Sequence, residues 1–178
     1  ELEAQCLSVP GDISSAAFLV VAAVIVPGSK IKLKNVGINP LRSGVIKTLI
    51  EMGANIEIKN IQSGVGGKRA DLIVRSGTIK GVEVPASRAP SMIDEYPILA
   101  VAAAYATGTT RMNGLSELKV KESDRLKAIA DGLTNCGVKV EVQNETLAVH
   151  GSGNNPNGGA TIASNLDHRI AMAFLILG

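Results

Sequence analysis

In the first half of the chain, hydrophobic and polar positions follow two patterns, one typical of helices and the other typical of strands. Residues 16 to 28 form an almost continuous apolar run that ends at a proline-glycine pair, which predicts a buried helix. Residues 30 to 36 alternate lysine with apolar side chains, as a half-buried strand does. Apolar residues between Val45 and Met52 recur at helical spacing and stop at Gly53, so an amphipathic helix is expected there. Further strands are predicted at residues 54 to 60, 71 to 76 and 81 to 85.

The same order of elements recurs in the second half. An apolar run from Ile93 ends at Gly108, a strand follows, and an amphipathic helix from about Glu122 stops at Gly137. The segment LTNCGVKVEVQN aligns with LIEMGANIEIKN on its Leu, Gly, Glu and Asn positions, which indicates an internal duplication. A third apolar run, at residues 170 to 177, begins a third unit that is expected to be incomplete.

These patterns predict an α/β (α+β) fold made of repeated β-α-β-α-β-β units. The first helix of each unit is apolar all round and should be buried, whereas the second is amphipathic and should lie outside. Strands with one lysine- and glutamate-rich face should form sheets around the helical centre. The expected architecture is an inside-out, barrel-like domain with buried helices, surrounding sheets and outer helices, and an incomplete third repeat.

Composition excludes several classes of partner. Hydrophobic residues make up 46% of the 178 positions, and 18 Lys and Arg face 16 Asp and Glu, for a net charge of +2. Such an even balance favours neither a nucleic acid nor a membrane surface as partner. The apolar runs are shorter than the roughly 20 residues that span a bilayer. Cys6 and Cys136 form no CxxC motif, so a reducing, cytoplasmic location without a disulfide or zinc site is expected.

Candidate chemistry comes from cations at the predicted helix starts. Lys121 and Arg125 lie at the start of one helix, and His168 with Arg169 opens the last apolar run. A helix N-terminus carries about half a positive charge, so cations there are disfavoured unless an anion binds. Backbone N–H groups together with Lys or Arg side chains bind phosphate or carboxylate groups. The spacing also predicts that Lys121 and Arg125 share a helix face.

Carboxylates occupy the same helix starts, where they could move protons; they are Asp94, Glu95, Glu122, Asp124 and Asp167. For the residues at the helix starts, purely structural explanations stay open beside the chemical one. Single aspartates at these places are often helix caps, and Arg125 and Arg169 could form structural ion pairs. Ser14 and Ser15 are expected to cap the first helix rather than act as nucleophiles.

Four segments resemble the 5-enolpyruvylshikimate-3-phosphate synthase family. They are PGDISSAAF at 10 to 18, APSMIDEYPILAVAAAYATGTT at 89 to 110, VKESDRL at 120 to 126 and LDHRIAM at 166 to 172. They occur in the family's order, and the similarity runs over essentially the whole chain. The second segment is similar to the branch of the family that includes naturally glyphosate-tolerant members.

The resemblance implies an activity and a domain organisation. The family joins shikimate 3-phosphate to phosphoenolpyruvate and releases phosphate, without cofactor or metal, in a cleft between two domains of three repeated units each. Residues 10–178 would then be a partial C-terminal domain, and residues 1–9 the crossover from a missing N-terminal domain. That missing domain is the expected protein partner, and the chain alone is expected to be inactive.

The resemblance also assigns roles. Asp94 matches the base that takes the proton of the substrate 5-hydroxyl, and Glu122 matches the proton shuttle at the methylene carbon. The residues matched to substrate binding are Lys121, Arg125, Asp167, His168 and Arg169, of which the two arginines would clamp phosphoenolpyruvate. Glu117 departs from the family pattern, which often has Asn there. Two alternatives stay open: a UDP-N-acetylglucosamine enolpyruvyl transferase, and a non-catalytic anion-binding or assembly domain that needs a partner chain.

Overall fold

The structure, a computed structural model, describes residue 4, residues 8–64 and residues 66–178. The helices are α1 (Ile13–Ile25), α2 (Gly44–Glu51), α3 (Tyr96–Tyr105), α4 (Arg125–Asn135) and α5 (His168–Leu177). The strands are β1 (Lys30–Gly37), β2 (Asn55–Gly64), β3 (Gly67–Arg75), β4 (Glu83–Val84), β5 (Thr107–Met112), β6 (Lys139–Gln143) and β7 (Thr146–Ser152). Short 3₁₀ helices span Ala86–Ser91, Ile93–Glu95 and Ser116–Val120. Cys6 and most of the crossover predicted at residues 1–9 lie outside the described residues.

The predicted duplication is confirmed in the sheets. The first sheet has the order β1-β3-β2 and the second β4-β5-β7-β6, with β3 and β7 antiparallel to both of their neighbours. β4 pairs in parallel with β5, and in the first unit Gly11 makes a parallel bridge to Val36 of β1 at the corresponding place. Both units therefore follow the β-α-β-α-β-β order, and the predicted α/β fold class is confirmed.

The core lies where α1, α3 and α5 pack against one another. α3 is the most buried, with every residue from Tyr96 to Ala104 enclosed. α1 packs on β1 and β3, α3 packs on β7, and α4 covers α3 and α5. Gly132 makes the close approach of α4 to α5 possible, because a Cβ atom at this position would clash with the ring of Phe174.

The three apolar helices are not all buried on every side. The prediction is confirmed for α3, but Leu19 of α1 is 53% exposed and Leu175 of α5 is 78% exposed. These two leucines lie on helix faces that no other described element covers. Of the helices in the described residues, none combines the length and the apolar character needed to cross a membrane.

Asp12, not Ser14 or Ser15, caps α1. The helix begins at Ile13, and Oδ2 of Asp12 accepts a hydrogen bond from the backbone N–H of Ser15 at 2.9 Å. The expectation that the two serines cap this helix is therefore wrong. Ser14 is instead buried inside the first turn, where its hydroxyl points toward α3.

α4 begins three residues later than predicted. Asp124 caps it by accepting a hydrogen bond from the backbone N–H of Lys127 at 3.0 Å, so the first helical residue is Arg125 rather than Glu122. Lys121 lies in the turn before the helix. The prediction that Lys121 and Arg125 share a helix face is therefore wrong, because the aspartate at the cap position starts the helix after Lys121.

Candidate anion-binding site

The starts of three helices meet at one end of the core and carry the predicted site residues. Asp94 lies in the 3₁₀ turn that leads into α3, Arg125 is the first residue of α4, and Arg169 lies in the first turn of α5. Asp167 caps α5 by accepting a hydrogen bond from the backbone N–H of Arg169 at 3.0 Å. The positive ends of these helices therefore point to one place, as an anion site requires.

Arg125 is at the centre of the cluster, and its side chain is fully buried. Its Nε donates to Oδ2 of Asp167 at 2.8 Å, its Nη1 donates to Oδ1 of Asp94 at 3.0 Å, and its Nη2 donates to Glu122. Burial disfavours the charge, but the hydrogen bond and charge of Asp167 outweigh it, so the pKa of Arg125 lies above its ordinary value. Arg125 therefore forms ion pairs with three carboxylates in this structure.

Asp167 is the fully buried partner of Arg125. Besides the arginine and its own helix, it accepts a hydrogen bond from Oγ of Ser123 at 3.0 Å. Burial raises the pKa of Asp167, but the hydrogen bond and the charge of Arg125 more than offset it, so the pKa lies below the ordinary value. A buried pair of this kind is costly to break, because removing one partner leaves the other charge without compensation.

Asp94 joins three cations from different segments. Its carboxylate lies 3.0 Å from Nη1 of Arg125, 3.5 Å from Nη2 of Arg169 and 3.8 Å from Nζ of Lys121. Its side chain is 31% exposed, so the carboxylate is open to a ligand on one side. Both arginines predicted to clamp one ligand therefore meet at the predicted base.

The exposed partners of the cations are two glutamates. Glu122 is 52% exposed and pairs with Arg125, and Glu117 is 57% exposed and lies 2.6 Å from Nζ of Lys121. Because both glutamates are at the surface, a bound anion could replace them without burying an unpaired charge. Glu117, which departs from the family pattern, thus pairs with a predicted substrate-binding lysine.

His168 is the predicted site residue that the structure does not bring into the cluster. It is exposed at the first position of α5 and takes no part in the described hydrogen bonds that link the other site residues. In the described residues, no group of three His, Cys, Asp or Glu side chains is arranged to hold a metal ion. A surface cavity of about 480 Å³ lies between β1, β2 and β3, away from this site.

Three further residues reach the cluster that sequence reasoning did not assign to it. Ser123 donates to Asp167, Ser14 donates to Glu95, the neighbour of Asp94, and Arg42 donates to Ser14. Ser123 belongs to the KESDR segment, so the sequence alone could have placed it in the turn before α4, next to the other site residues. The positions of Ser14 and Arg42 depend on how the first unit packs against the second, which their local sequence does not encode.

Comparison of folds places the chain in a class of proteins. The structure superposes on an EPSP synthase from Acinetobacter baumannii with a TM-score of 0.91 and 42% identity, over 94% of this chain and 39% of that one. It also resembles the enolpyruvyl transferase NikO from Streptomyces tendae, with a TM-score of 0.65 and 20% identity over 92% of this chain and 35% of that one, which is a likeness of fold alone. The chain thus has the fold of the enolpyruvyl transferases.

The family follows from the sequence match. The family model described as EPSP synthase (3-phosphoshikimate 1-carboxyvinyltransferase) matches residues 1–178, and the chain belongs to this family. A 3-phosphoshikimate 1-carboxyvinyltransferase from Paramagnetospirillum magneticum is 61% identical over 178 residues. That match covers 100% of this chain and 40% of the relative, so the chain spans well under half the length of the curated relatives it matches.

Proposed function

We propose that this chain is part of an enzyme that transfers the enolpyruvyl group of phosphoenolpyruvate to the 5-hydroxyl of shikimate 3-phosphate and releases phosphate. The observation that carries the proposal is the meeting of Lys121, Arg125 and Arg169 at the carboxylate of Asp94. This arrangement combines anion binding with a proton acceptor, which is what the reaction needs. The names of the relatives support the choice of shikimate 3-phosphate as acceptor.

The cations have different parts in binding. Arg169 is 16% exposed and Lys121 is 24% exposed, so both can contact a ligand directly. Arg125 becomes available at Nη2 when the exposed Glu122 turns away, while its Nε remains held by Asp167. Arg125 and Arg169 then bind the phosphate and carboxylate of phosphoenolpyruvate, and Lys121 binds the shikimate phosphate substrate.

Two carboxylates move the protons. Asp94 takes the proton of the 5-hydroxyl while the hydroxyl oxygen bonds to C2 of phosphoenolpyruvate. Glu122 delivers a proton to the methylene carbon. Glu122 then takes a proton back from that carbon, which restores the double bond while the bond between C2 and the phosphate oxygen breaks and phosphate leaves. Asp94 is held by cations, whereas the more exposed Glu122 can approach and leave the ligand.

The complete reaction needs a second domain. We propose that residues 10–178 are part of a C-terminal domain, that residues 1–9 lead from an N-terminal one, and that the protein acts in the cytoplasm. The site is open on the side of Asp94 and Glu122, so the chain alone cannot enclose both substrates. Enclosure and orientation can contribute roughly 7 to 11 kcal/mol to a reaction of two substrates, and the isolated chain should therefore be inactive.

The test is turnover by the full-length protein that contains this chain. Phosphate release should require both phosphoenolpyruvate and shikimate 3-phosphate, and the 178-residue chain should show none. Glu122→Gln should lower kcat by about 100-fold or more if Glu122 moves the proton. Lys127→Gln, which changes an exposed charge on α4 that pairs only with Asp131 among the described ion pairs, is the matched control and should leave kcat unchanged.

Two results would reject this assignment. Turnover with UDP-N-acetylglucosamine in place of shikimate 3-phosphate would identify the related transferase instead. Binding of phosphoenolpyruvate by calorimetry without turnover in the full-length protein would identify a non-catalytic anion-binding domain.

A further inference from the structure

Glu95 is a buried acidic residue to which the proposed mechanism gives no part. It follows Asp94 directly in the 3₁₀ turn before α3, and only 2% of its surface is exposed. A buried carboxylate is costly unless other groups compensate it, and an apolar side chain would fill the same place without that cost. The presence of this carboxylate at the edge of the anion site is therefore not explained by packing alone.

Two arginines reduce the cost of burying the Glu95 carboxylate. Arg42 lies in the first unit and Arg169 lies in α5. Oε1 of Glu95 accepts a hydrogen bond from Oγ of Ser14, which in turn accepts one from Nη2 of Arg42 at 3.1 Å. The same Oε1 lies 3.9 Å from Nη1 of Arg169. Glu95 thus links the first turn of α1 to the first turn of α5.

The contacts of Arg169 show what this link does. Its Nη2 lies 3.5 Å from Oδ2 of Asp94, while its Nη1 lies near Glu95 and donates to the backbone carbonyl of Asp94 at 3.4 Å. The two terminal nitrogens therefore lie within ion-pair distance of the carboxylates of two adjacent residues. Attraction to two separate carboxylates favours one orientation of the guanidinium group more strongly than a single ion pair does.

We infer that Glu95 is a positioning residue, which together with Ser14 and Arg42 orients Arg169 for binding the anionic substrate. The inference rests on the proposed function for the identity of that substrate. A guanidinium that is already oriented loses less conformational entropy when it binds a phosphate or carboxylate, so its affinity is higher. Glu95 itself need not touch the substrate.

Because Glu95 is buried, its stability effect can distinguish a positioning role from a purely structural one. Burial is the largest influence on Glu95 and raises the pKa of its carboxyl group, against the lowering effects of Ser14 and Arg169. A raised pKa means that folding favours the neutral form of the group over the charged one. A neutral Gln should therefore leave the stability of the protein unchanged or increase it, while Arg169 loses one of its two charged partners.

The experiment compares the full-length protein with its Glu95→Gln variant in steady-state kinetics. KM for phosphoenolpyruvate should rise about tenfold, as expected for the loss of one charge-assisted contact, while kcat changes less than about threefold. The midpoint of thermal unfolding should not fall. Glu57→Gln, which removes a carboxylate paired with Arg75 and Lys59 on the first sheet, is the matched control and should change neither constant.

An unchanged or lower KM in Glu95→Gln would overturn the inference, and so would equal losses in kcat and stability. If this variant does not fold, Ser14→Ala decides, because it breaks the link between Arg42 and Glu95 and should raise KM by about threefold, less than the full effect. If wild-type protein shows no turnover, the proposed function fails separately. Calorimetric titration with phosphoenolpyruvate, comparing the dissociation constants of wild type and Glu95→Gln, then still tests the inference.

Discussion

The two repeated units have the same topology but place different side chains at one equivalent position. Ser14 and Asp94 each lie fourteen residues before the glycine that follows the apolar helix of their unit, Gly28 or Gly108. Each is also approached by an arginine: Arg42 lies just before the amphipathic helix of the first unit, and Arg125 is the first residue of that helix in the second. In the first unit Arg42 lies 3.1 Å from the hydroxyl of Ser14, and in the second Arg125 lies 3.0 Å from the carboxylate of Asp94.

Under the proposed function, one scaffold supports a structural role in the first unit and a chemical role in the second. A serine hydroxyl relays a hydrogen bond, whereas a carboxylate carries charge and can accept a proton. The second unit also adds Lys121 and receives Arg169 from α5, so cations gather there. In the proposed function, the residue at this position of the helix start, rather than the shared fold, determines which unit carries the chemistry.

Replacing Asp94 should produce the largest effect. In the full-length protein, Asp94→Asn keeps the shape of the side chain but removes the proton acceptor, so kcat should fall by about 100- to 10,000-fold. The equivalent change in the first unit, Ser14→Ala, should alter kcat less than about threefold, because Ser14 acts only through hydrogen bonds. Phosphate release under saturating substrates measures both. Similar losses of kcat in the two variants would contradict the division of roles.

Replacing Asp167 should produce the largest loss of stability. Asp167→Asn can still cap α5, but it removes the carboxylate that compensates the buried Arg125. The free energy of unfolding should fall by about 3 kcal/mol, the lower end of the range for breaking a buried pair, because Asp94 and Glu122 remain as partners of Arg125. Urea unfolding measures this change.

Asp12, which caps α1, is the control for Asp167. The pH dependence of the free energy of unfolding is a second measurement. Asp12 is 54% exposed, so Asp12→Asn should cost less than about 1 kcal/mol. Since the pKa of Asp167 is lowered by folding, its contribution is complete above its ordinary pKa of 3.8 and is lost as the pH falls below that value. The difference between wild type and Asp167→Asn should therefore narrow progressively as the pH falls below 3.8. A difference that does not narrow with falling pH would contradict the role of the charge.

Asp71 has a structural role in the first unit. It accepts hydrogen bonds from the backbone N–H of Asn35 at 3.1 Å and from Nδ2 of Asn60 at 2.9 Å, and it pairs with Lys32. Both asparagines have positive φ at irregularities in the pairing of β1 and β2 with β3. Asp71 thus fixes both irregularities, and these hydrogen bonds and Lys32 lower its pKa to about 2.

Asp71→Asn should consequently lower the midpoint of thermal unfolding without changing kcat. The stabilisation is complete above the ordinary pKa of 3.8 and is lost as the pH falls toward 2, so the two proteins should converge over that interval. Asp131→Asn, in an exposed pair with Lys127, is the control and should leave the midpoint almost unchanged. Equal midpoints for wild type and Asp71→Asn at pH 7 would contradict this role.

The sequence predicts the fold more completely than the site. Apolar runs that stop at Gly28, Gly53, Gly108 and Gly137 predict the helix ends, since glycine adopts the positive φ found at all four positions. Alternation predicts β1 and β6, because successive strand residues face opposite sides. These signals are local, and the duplication doubles each of them.

Long-range contacts account for what the sequence could not predict. The hydrogen bond between Ser14 and Glu95 joins residues 81 positions apart, and Arg125 reaches Asp167 across 42. Whether an arginine is buried by carboxylates or open to a ligand depends on such packing, and the local pattern is the same in both cases. Helix starts also depend on which of several polar residues forms the cap, as Asp12 and Asp124 show.

Glu117 gives the smallest and most selective test of the second unit. It is the nearest carboxylate to Lys121, at 2.6 Å, whereas Asp94 lies 3.8 Å away. Glu117→Asn should release the ammonium group and make the site more positive, so KM for shikimate 3-phosphate should fall about two- to threefold. Stability should change by less than about 1 kcal/mol because the pair is exposed. Glu83→Gln, in an exposed contact with Arg111, should change neither quantity. A higher KM in Glu117→Asn would mean that Glu117 itself holds the substrate, and the difference between the two units would then extend beyond the helix starts.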